Sequence, residues 1–318
     1  MLTRLNPFSG SGVGTASAGV SGASRGVGMA SAVAAVAAFS MVLCLGLFSA
    51  CSGQEFTSST EHAPDDSASA VSEQGNLYAN VYLQTSAEYR ACCYGIYAAA
   101  GRRLGELLEG AEPAPSRPAV VMDIDETVLD NSSFQTFLYV NELDYSSALW
   151  SRFEREGTGE VGLVPGAGEF IEAAESMGVT VVYLSNRNER NWRWTATALA
   201  GAGLDTTGIR HRLYLKPEGG FSDKSPRRDA VAARHNVLMY FGDNLRDFSE
   251  VFAAPDLPDR AGQGDYTSAI EHRASAVDDA QCHWGIDWFV LPNPIYGEWE
   301  GLIPDDPTTI LRPSGMEV

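Results

Sequence analysis

Two aspartates two residues apart, Asp123 and Asp125, end the apolar run Ala119-Val120-Val121-Met122, in the stretch Asp123-Ile124-Asp125-Glu126-Thr127. At the end of a strand such a pair points one way if the chain stays extended, and converges on one ligand if it turns. One carboxylate can then attack phosphorus while the other protonates the leaving oxygen. Two carboxylates and a phosphate repel one another, so that chemistry requires a hard cation such as Mg2+ in an oxygen shell. The pair taken alone reads equally well as an acidic helix start or an Asp-capped loop.

Three further segments carry the same chemistry. Ser185-Asn186-Arg187 follows a second apolar run, and a hydroxyl with backbone N–H groups at a helix start suits a phosphoryl oxygen, although a simple serine cap has the same letters. The chain has only two lysines, Lys216 and Lys224, among 22 basic residues, and both fall between Leu215 and Arg228. An ammonium beside two carboxylates would keep the nucleophile ionised and neutralise phosphate charge. Gly242-Asp243-Asn244-Leu245-Arg246-Asp247-Phe248 follows a further apolar run. It offers Asp243 as a metal ligand, and Asp247 to orient Lys224 or the metal's water shell.

The elements that must position these groups are legible as alternation. Residues 76–108 show helical spacing, and Pro113, Pro115 and Pro118 end it. Ala119–Met122, Thr180–Leu184, Arg212–Leu215, Val237–Phe241 and Phe289–Leu291 read as short buried strands. Helical patterns lie between them near 166–177, 190–202 and 226–235. Strand alternating with helix means an α/β chain with a parallel sheet and helices on both faces. In such sheets the ligand site lies beyond the carboxyl ends of the strands, which gathers the four polar segments into one place. Residues 130–163 interrupt the alternation with a mostly helical segment, a candidate cap over that place.

Asp123 through Asn131, Ser185-Asn186-Arg187, Lys224 and Gly242 through Phe248 together resemble the motif series of the haloacid dehalogenase superfamily. More narrowly they resemble the bacterial class C acid phosphatases, its lipoprotein branch with four characteristic aspartates. Ser86-Ala87-Glu88-Tyr89-Arg90, Val164-Pro165-Gly166-Ala167 and Leu291-Pro292-Asn293-Pro294-Ile295-Tyr296-Gly297 support the likeness, which runs from about Asn76 to Leu311.

The resemblance implies a haloacid-dehalogenase-like Rossmannoid sheet with a small helical cap, and a Mg2+-dependent phosphomonoesterase working through an aspartyl-phosphate. Asp123 would be the nucleophile and Asp125 the general acid, then the base. Thr127, Ser185 and Asn186 would bind substrate, and Lys224, preferred over Lys216, would stabilise the transferring group. The metal would sit on Asp123, Asp243 and the backbone carbonyl of Asp125, with Asp247 in support. Nucleoside 5'-monophosphates and aromatic phosphates are the implied substrates, with Trp150, Tyr296 and Phe134 as candidates to stack on a base. A hydrolytic dehalogenase of the same fold needs neither Asp125 nor Asp243. Outside enzymes the alternative is a surface lipoprotein that binds a nucleotide or other ligand without turnover, yet decay of catalysis would first remove the nucleophile or a metal ligand, and all are present.

The charge is strongly acidic, with 22 basic against 41 acidic residues and a formal net charge of −19. Such a surface repels the phosphate backbone and argues against nucleic-acid polymers as partners. Residues 1–50 hold no acidic residue and only Arg4 and Arg25, and an apolar run from Met29 to Phe48 precedes Ser49-Ala50-Cys51. That is a secretory leader, and its end resembles a lipobox, with Phe48 where leucine is usual and Cys51 as the acylated residue. An uncleaved transmembrane anchor reads from the same run. Either way the remainder is exported, lipid-anchored at the outer membrane or cell surface in the first reading. Losing both arginines takes the charge from −19 to −21. Residues 51–75 read as a flexible tether, 76–311 as the catalytic domain and 312–318 as a tail.

Cys92, Cys93 and Cys282 remain, an odd set in which Cys282 can bridge to Cys92 or Cys93. Gly157-Thr158-Gly159-Glu160-Val161-Gly162 matches a dinucleotide fingerprint but follows a charged helix instead of a strand, so it reads as a loop.

Overall fold

The structure is a computed structural model that describes residues 73–109, 117–257 and 262–316, all within one compact unit. The leader, Cys51 and most of the tether lie outside the described residues. Among the described residues, no helix is long and apolar enough to cross a membrane.

Helical spacing before the prolines resolves into two helices, α1 (Glu73–Thr85) and α2 (Ala87–Glu109). The break falls at Ser86, whose hydroxyl accepts the Tyr89 N–H at 3.0 Å and so caps the second helix. α1 begins three residues inside the segment read as tether. The strands follow as β1 (Arg117–Met122), β2 (Leu129–Asp130), β3 (Gly162–Leu163), β4 (Thr180–Asn188), β5 (Leu213–Lys216), β6 (His235–Gly242) and β7 (Trp288–Val290). Between them lie α3 (Ser132–Val140), α4 (Ser147–Glu156), α5 (Ala167–Ser176), α6 (Trp192–Gly201), α7 (Ser225–Ala232) and α8 (Gln263–Asp279). The sequence patterns do not anticipate α8, whose few large apolar residues give it little periodicity.

The main sheet has the order β5-β4-β1-β6-β7, and every pairing in it is parallel. Alternate residues of β1 serve opposite faces. Val120 and Met122 join the larger core beneath α2, α5 and α6, while Ala119 and Val121 join a smaller one with Val182, Leu184 and Val231 of α7. Burial on both faces explains why the strands read as continuous apolar runs. After β1 the chain builds outward through β4 and β5, then crosses back to place β6 on β1's other side. The loops after β1 and β6 therefore diverge, and the crevice between them is the topological switch point.

The short antiparallel pair of β2 and β3, with Leu129 opposite Leu163 and Asp130 opposite Gly162, closes the base of the segment that carries α3 and α4. The Gly157–Gly162 stretch is the turn from α4 into β3. Cys92 and Cys93 are free thiols, so neither bridges Cys282.

Candidate active site

Four polar segments meet at the carboxyl edge of the sheet. Asp123 leaves β1 with its N–H bonded to the Phe241 carbonyl of β6 at 2.9 Å, which fixes the nucleophile candidate at the switch point. The chain then turns sharply. Glu126 adopts a φ of 52° and lies buried, its carboxylate held by the Asn131 N–H and the Tyr296 hydroxyl. This left-handed step falls between Asp125 and Thr127, and the Thr127 hydroxyl then meets Asp243, just beyond β6, at 3.3 Å.

Of the two lysines, Lys224 reaches the acidic cluster. Its ammonium, at the start of α7, lies 2.6 Å from Asp123 Oδ1 and 2.5 Å from Asp247 Oδ1, and donates to the Leu184 carbonyl at 3.3 Å. Burial works against its charge, but the two carboxylates outweigh that and hold its pKa above the ordinary lysine value. Lys216 stands at the end of β5.

Asp247 is aimed by its own turn. Its Oδ2 accepts the Asn244 N–H at 3.0 Å, while Asn244 Oδ1 accepts the Arg246 N–H at 3.0 Å. The turn passes so close to Gly242 that a Cβ there would sit 2.2 Å from Asp247 Oδ2, so only glycine fits. Asp243 is held between Thr127 Oγ1 at 3.3 Å and Asn293 Nδ2 at 2.8 Å.

Asp123, Asp243 and Asp247 each offer an oxygen within 4.8 Å of the others. Burial, more than any neighbour, raises the pKa of Asp123 well above the carboxylate range, with Lys224 opposing and the other aspartates adding. Burial and then Asp247 push Asp243 up to about 7. Three carboxylates with one ammonium leave excess negative charge in a desolvated pocket. An all-oxygen donor set of that charge fits a hard divalent cation.

Asp125 is held apart from this cluster. Arg187, fully buried, donates to Asp125 Oδ1 from Nε at 2.9 Å and lies 2.7 Å from the same oxygen through Nη2. Asn131 Nδ2 adds a bond to that oxygen at 2.9 Å, and the Ser185 hydroxyl donates to Asp125 Oδ2 at 3.3 Å. The pairing of β4 with β5 shifts register between Ser185 and Asn188. β4 nevertheless keeps its alternation, so Ser185 and Arg187 are buried toward the site and Asn186 is exposed. The Asn186 side chain accepts from Arg227 at 2.6 Å, and Arg227 also grips the Ser185 carbonyl at 2.6 Å.

The aromatic candidates fall in different surroundings. Trp150 of α4 lies under the Arg187 guanidinium, 5.5 Å from the ring centroid, with Phe134 edge-on at 5.1 Å. Phe134 is buried in packing. Tyr296 bonds Glu126, and its segment is anchored through Asn293. Sequence reasoning assigned no role to Glu126, Asn131, Asn293, Arg227 or Glu154. Asn131 and Asn293 stand inside motifs already singled out, so adjacency was an available signal. Glu154 gave none, because a charge on an amphipathic helix reads as a solvent face.

Comparison with known proteins agrees with this geometry. The family model described as HAD superfamily, subfamily IIIB (Acid phosphatase) matches residues 45–299. The structure of the class C acid phosphatase from Bacillus anthracis with tungstate bound is similar at 29% sequence identity and a TM-score of 0.62, covering 76% of this chain and 92% of that one. A second structure of the Bacillus anthracis enzyme gives 29% identity and a TM-score of 0.61, covering 73% and 89%.

Proposed function

The chain belongs to the acid phosphatase family of HAD subfamily IIIB and is a phosphomonoester hydrolase; from that premise we propose that it works through an aspartyl-phosphate on Asp123, with Mg2+ as its cation. The observation that carries this reading is the division of the carboxylates. Asp123 shares a buried ammonium with Asp247, whereas Asp125 is held separately by Arg187. Two carboxyl groups in different settings suit two roles, nucleophile and proton carrier.

Lys224 favours the ionised form of Asp123 against the effect of burial, and its ammonium neutralises charge on the transferring group. A carboxylate oxygen of Asp123 attacks phosphorus, and the bond to the ester oxygen breaks as that oxygen takes a proton from Asp125. Asp125 then accepts a proton from water, the hydroxide attacks the aspartyl-phosphate, and inorganic phosphate leaves with Asp123 restored. Thr127 and Ser185 hydroxyls and the N–H groups beside them bind phosphoryl oxygens, and Asn186 borders the opening. Mg2+ held by Asp123, Asp243 and the Asp125 carbonyl, with Asp247 in support, would offset the negative charge that otherwise repels the substrate.

Nucleoside 5'-monophosphates and aromatic phosphomonoesters are the proposed substrates, with Trp150 and Tyr296 as the aromatic surfaces at the site's edge. The enzyme is exported and anchored through a lipidated Cys51. Phosphate release from p-nitrophenyl phosphate and a nucleoside monophosphate, on protein lacking residues 1–51, tests the reading. Release that requires Mg2+, stops with chelator and is abolished by Asp123→Asn is the expected result. Folded, cation-loaded protein that releases nothing at acid or neutral pH would overturn it in favour of a ligand-binding lipoprotein. Acyl incorporation at Cys51, lost in Cys51→Ser, tests the anchor.

A further inference from the structure

Glu154 lies in α4 of the inserted segment, and its surroundings are unlike those of a surface carboxylate. The residue is 2% exposed. Its Oε2 accepts from Asn191 Nδ2 at 2.5 Å, while Oε1 is buried without a hydrogen-bond partner. Leaving a carboxylate oxygen desolvated and unpaired is unfavourable, so a compensating charge is expected nearby. The cation on that side of α4 is Arg187, beyond ion-pair distance of Glu154. Burial raises the Glu154 pKa, opposed first by the Asn191 hydrogen bond and then by the Arg187 guanidinium, and Glu154 in turn helps hold Arg187 charged. Trp150, one helical turn before Glu154 on the same face of α4, covers that guanidinium.

Arg187 binds Asp125 in an uncommon way. A guanidinium facing one carboxylate usually forms a fork with one bond to each oxygen. Here Nε and Nη2 both address Oδ1, Nη2 also reaches Asn131 Oδ1 at 3.0 Å, and Asp125 Oδ2 meets only the Ser185 hydroxyl, at 3.3 Å, among the hydrogen bonds of the described residues.

We propose that Glu154 is a positioning residue: its charge, with the Trp150 face, draws the Arg187 guanidinium toward α4, prevents it from closing on both oxygens of Asp125, and so keeps Oδ2 available to hand a proton to the leaving group. This rests on the reading of Asp125 as general acid. Without the Glu154 charge the fork rotates onto both oxygens, and Asp125 becomes a structural counter-ion to Arg187.

The leaving group reports on this step. A nitrophenolate departs with little help, whereas an alkoxide must be protonated as it leaves. In Glu154→Gln, kcat/KM for an alkyl phosphate such as glycerol phosphate is expected to fall by about tenfold or more, part of the roughly 10²–10⁴-fold that positioned proton transfer supplies. For p-nitrophenyl phosphate the fall is expected to be several-fold smaller. Glu154→Met, which removes the charge and keeps much of the volume, should behave alike. Asp125→Asn is the control. If it lowers both substrates equally, the general-acid reading fails. If it discriminates between them and the Glu154 variants do not, the role given to Glu154 fails while that of Asp125 stands. Loss of folding in both Glu154 variants would make the residue purely structural and overturn the proposal.

Discussion

Replacing Lys224 by methionine removes the ammonium and leaves Asp123 and Asp247 facing each other. The side chains of Lys224, Asp123 and Asp247 are 5%, 8% and 6% exposed, so this is a buried ion-pair network and not a surface bridge. Removing one partner of a buried pair costs about 3–5 kcal/mol, because the charge left behind stays desolvated. One cation here serves two carboxylates, which places the expected loss in the upper half of that range when no divalent cation is present. For a domain of this size that corresponds to a melting temperature lower by roughly 8–20 °C. Urea unfolding followed by circular dichroism, with chelator and again with Mg2+, measures it. Mg2+ is expected to restore part of the loss, since a cation bound only to the native state stabilises it by mass action. Phosphatase kcat/KM should fall by about 10²–10³-fold, as when one preorganised electrostatic contact is removed. A folded variant whose unfolding free energy in chelator stays within about 1 kcal/mol of the parent would refute the reasoning. The two aspartates would then not depend on the ammonium for their charge.

Gly242→Ala forces a Cβ to 2.2 Å from Asp247 Oδ2 and must displace the turn that aims it. Stability is expected to fall by about 1–3 kcal/mol, and kcat/KM by roughly 10²-fold through misplacement alone, a disparity that unfolding and kinetic measurements on the same sample can test. Burial pushes the Glu300 carboxyl up to about 7 from its ordinary value of 4.5, opposed by the Gly297 backbone. A carboxyl raised on folding contributes stability that is full below 4.5 and lost as pH rises through 7. Glu300→Gln should therefore flatten the fall in melting temperature between pH 4.5 and 8, and parallel curves for the two proteins would contradict this.

The sequence by itself determined the sheet and the chemistry beyond its edge. Five apolar runs with polar ends, alternating with helical patterns, point to a parallel α/β sheet, because its strands are buried on both faces and its crossovers are helices. Ending those runs in aspartate, serine and aspartate, with lysine confined to one connection, specified which groups meet, since chain ends on one edge of a parallel sheet have only one place to go. It did not determine α8, whose burial rests on contacts from distant segments, nor the break at Ser86, where one hydroxyl divides an otherwise continuous helical pattern. The tertiary structure alone decided the partners. Lys224 rather than Lys216 reaches Asp123 because α7 begins beside β1, 101 residues away in sequence. Arg187 selects one oxygen of Asp125, and Glu154 is a buried carboxyl and not a solvated one, because α4 folds back onto the turn that follows β4. Distances between segments that far apart are set by packing of the whole core, and no local spacing in the chain encodes them.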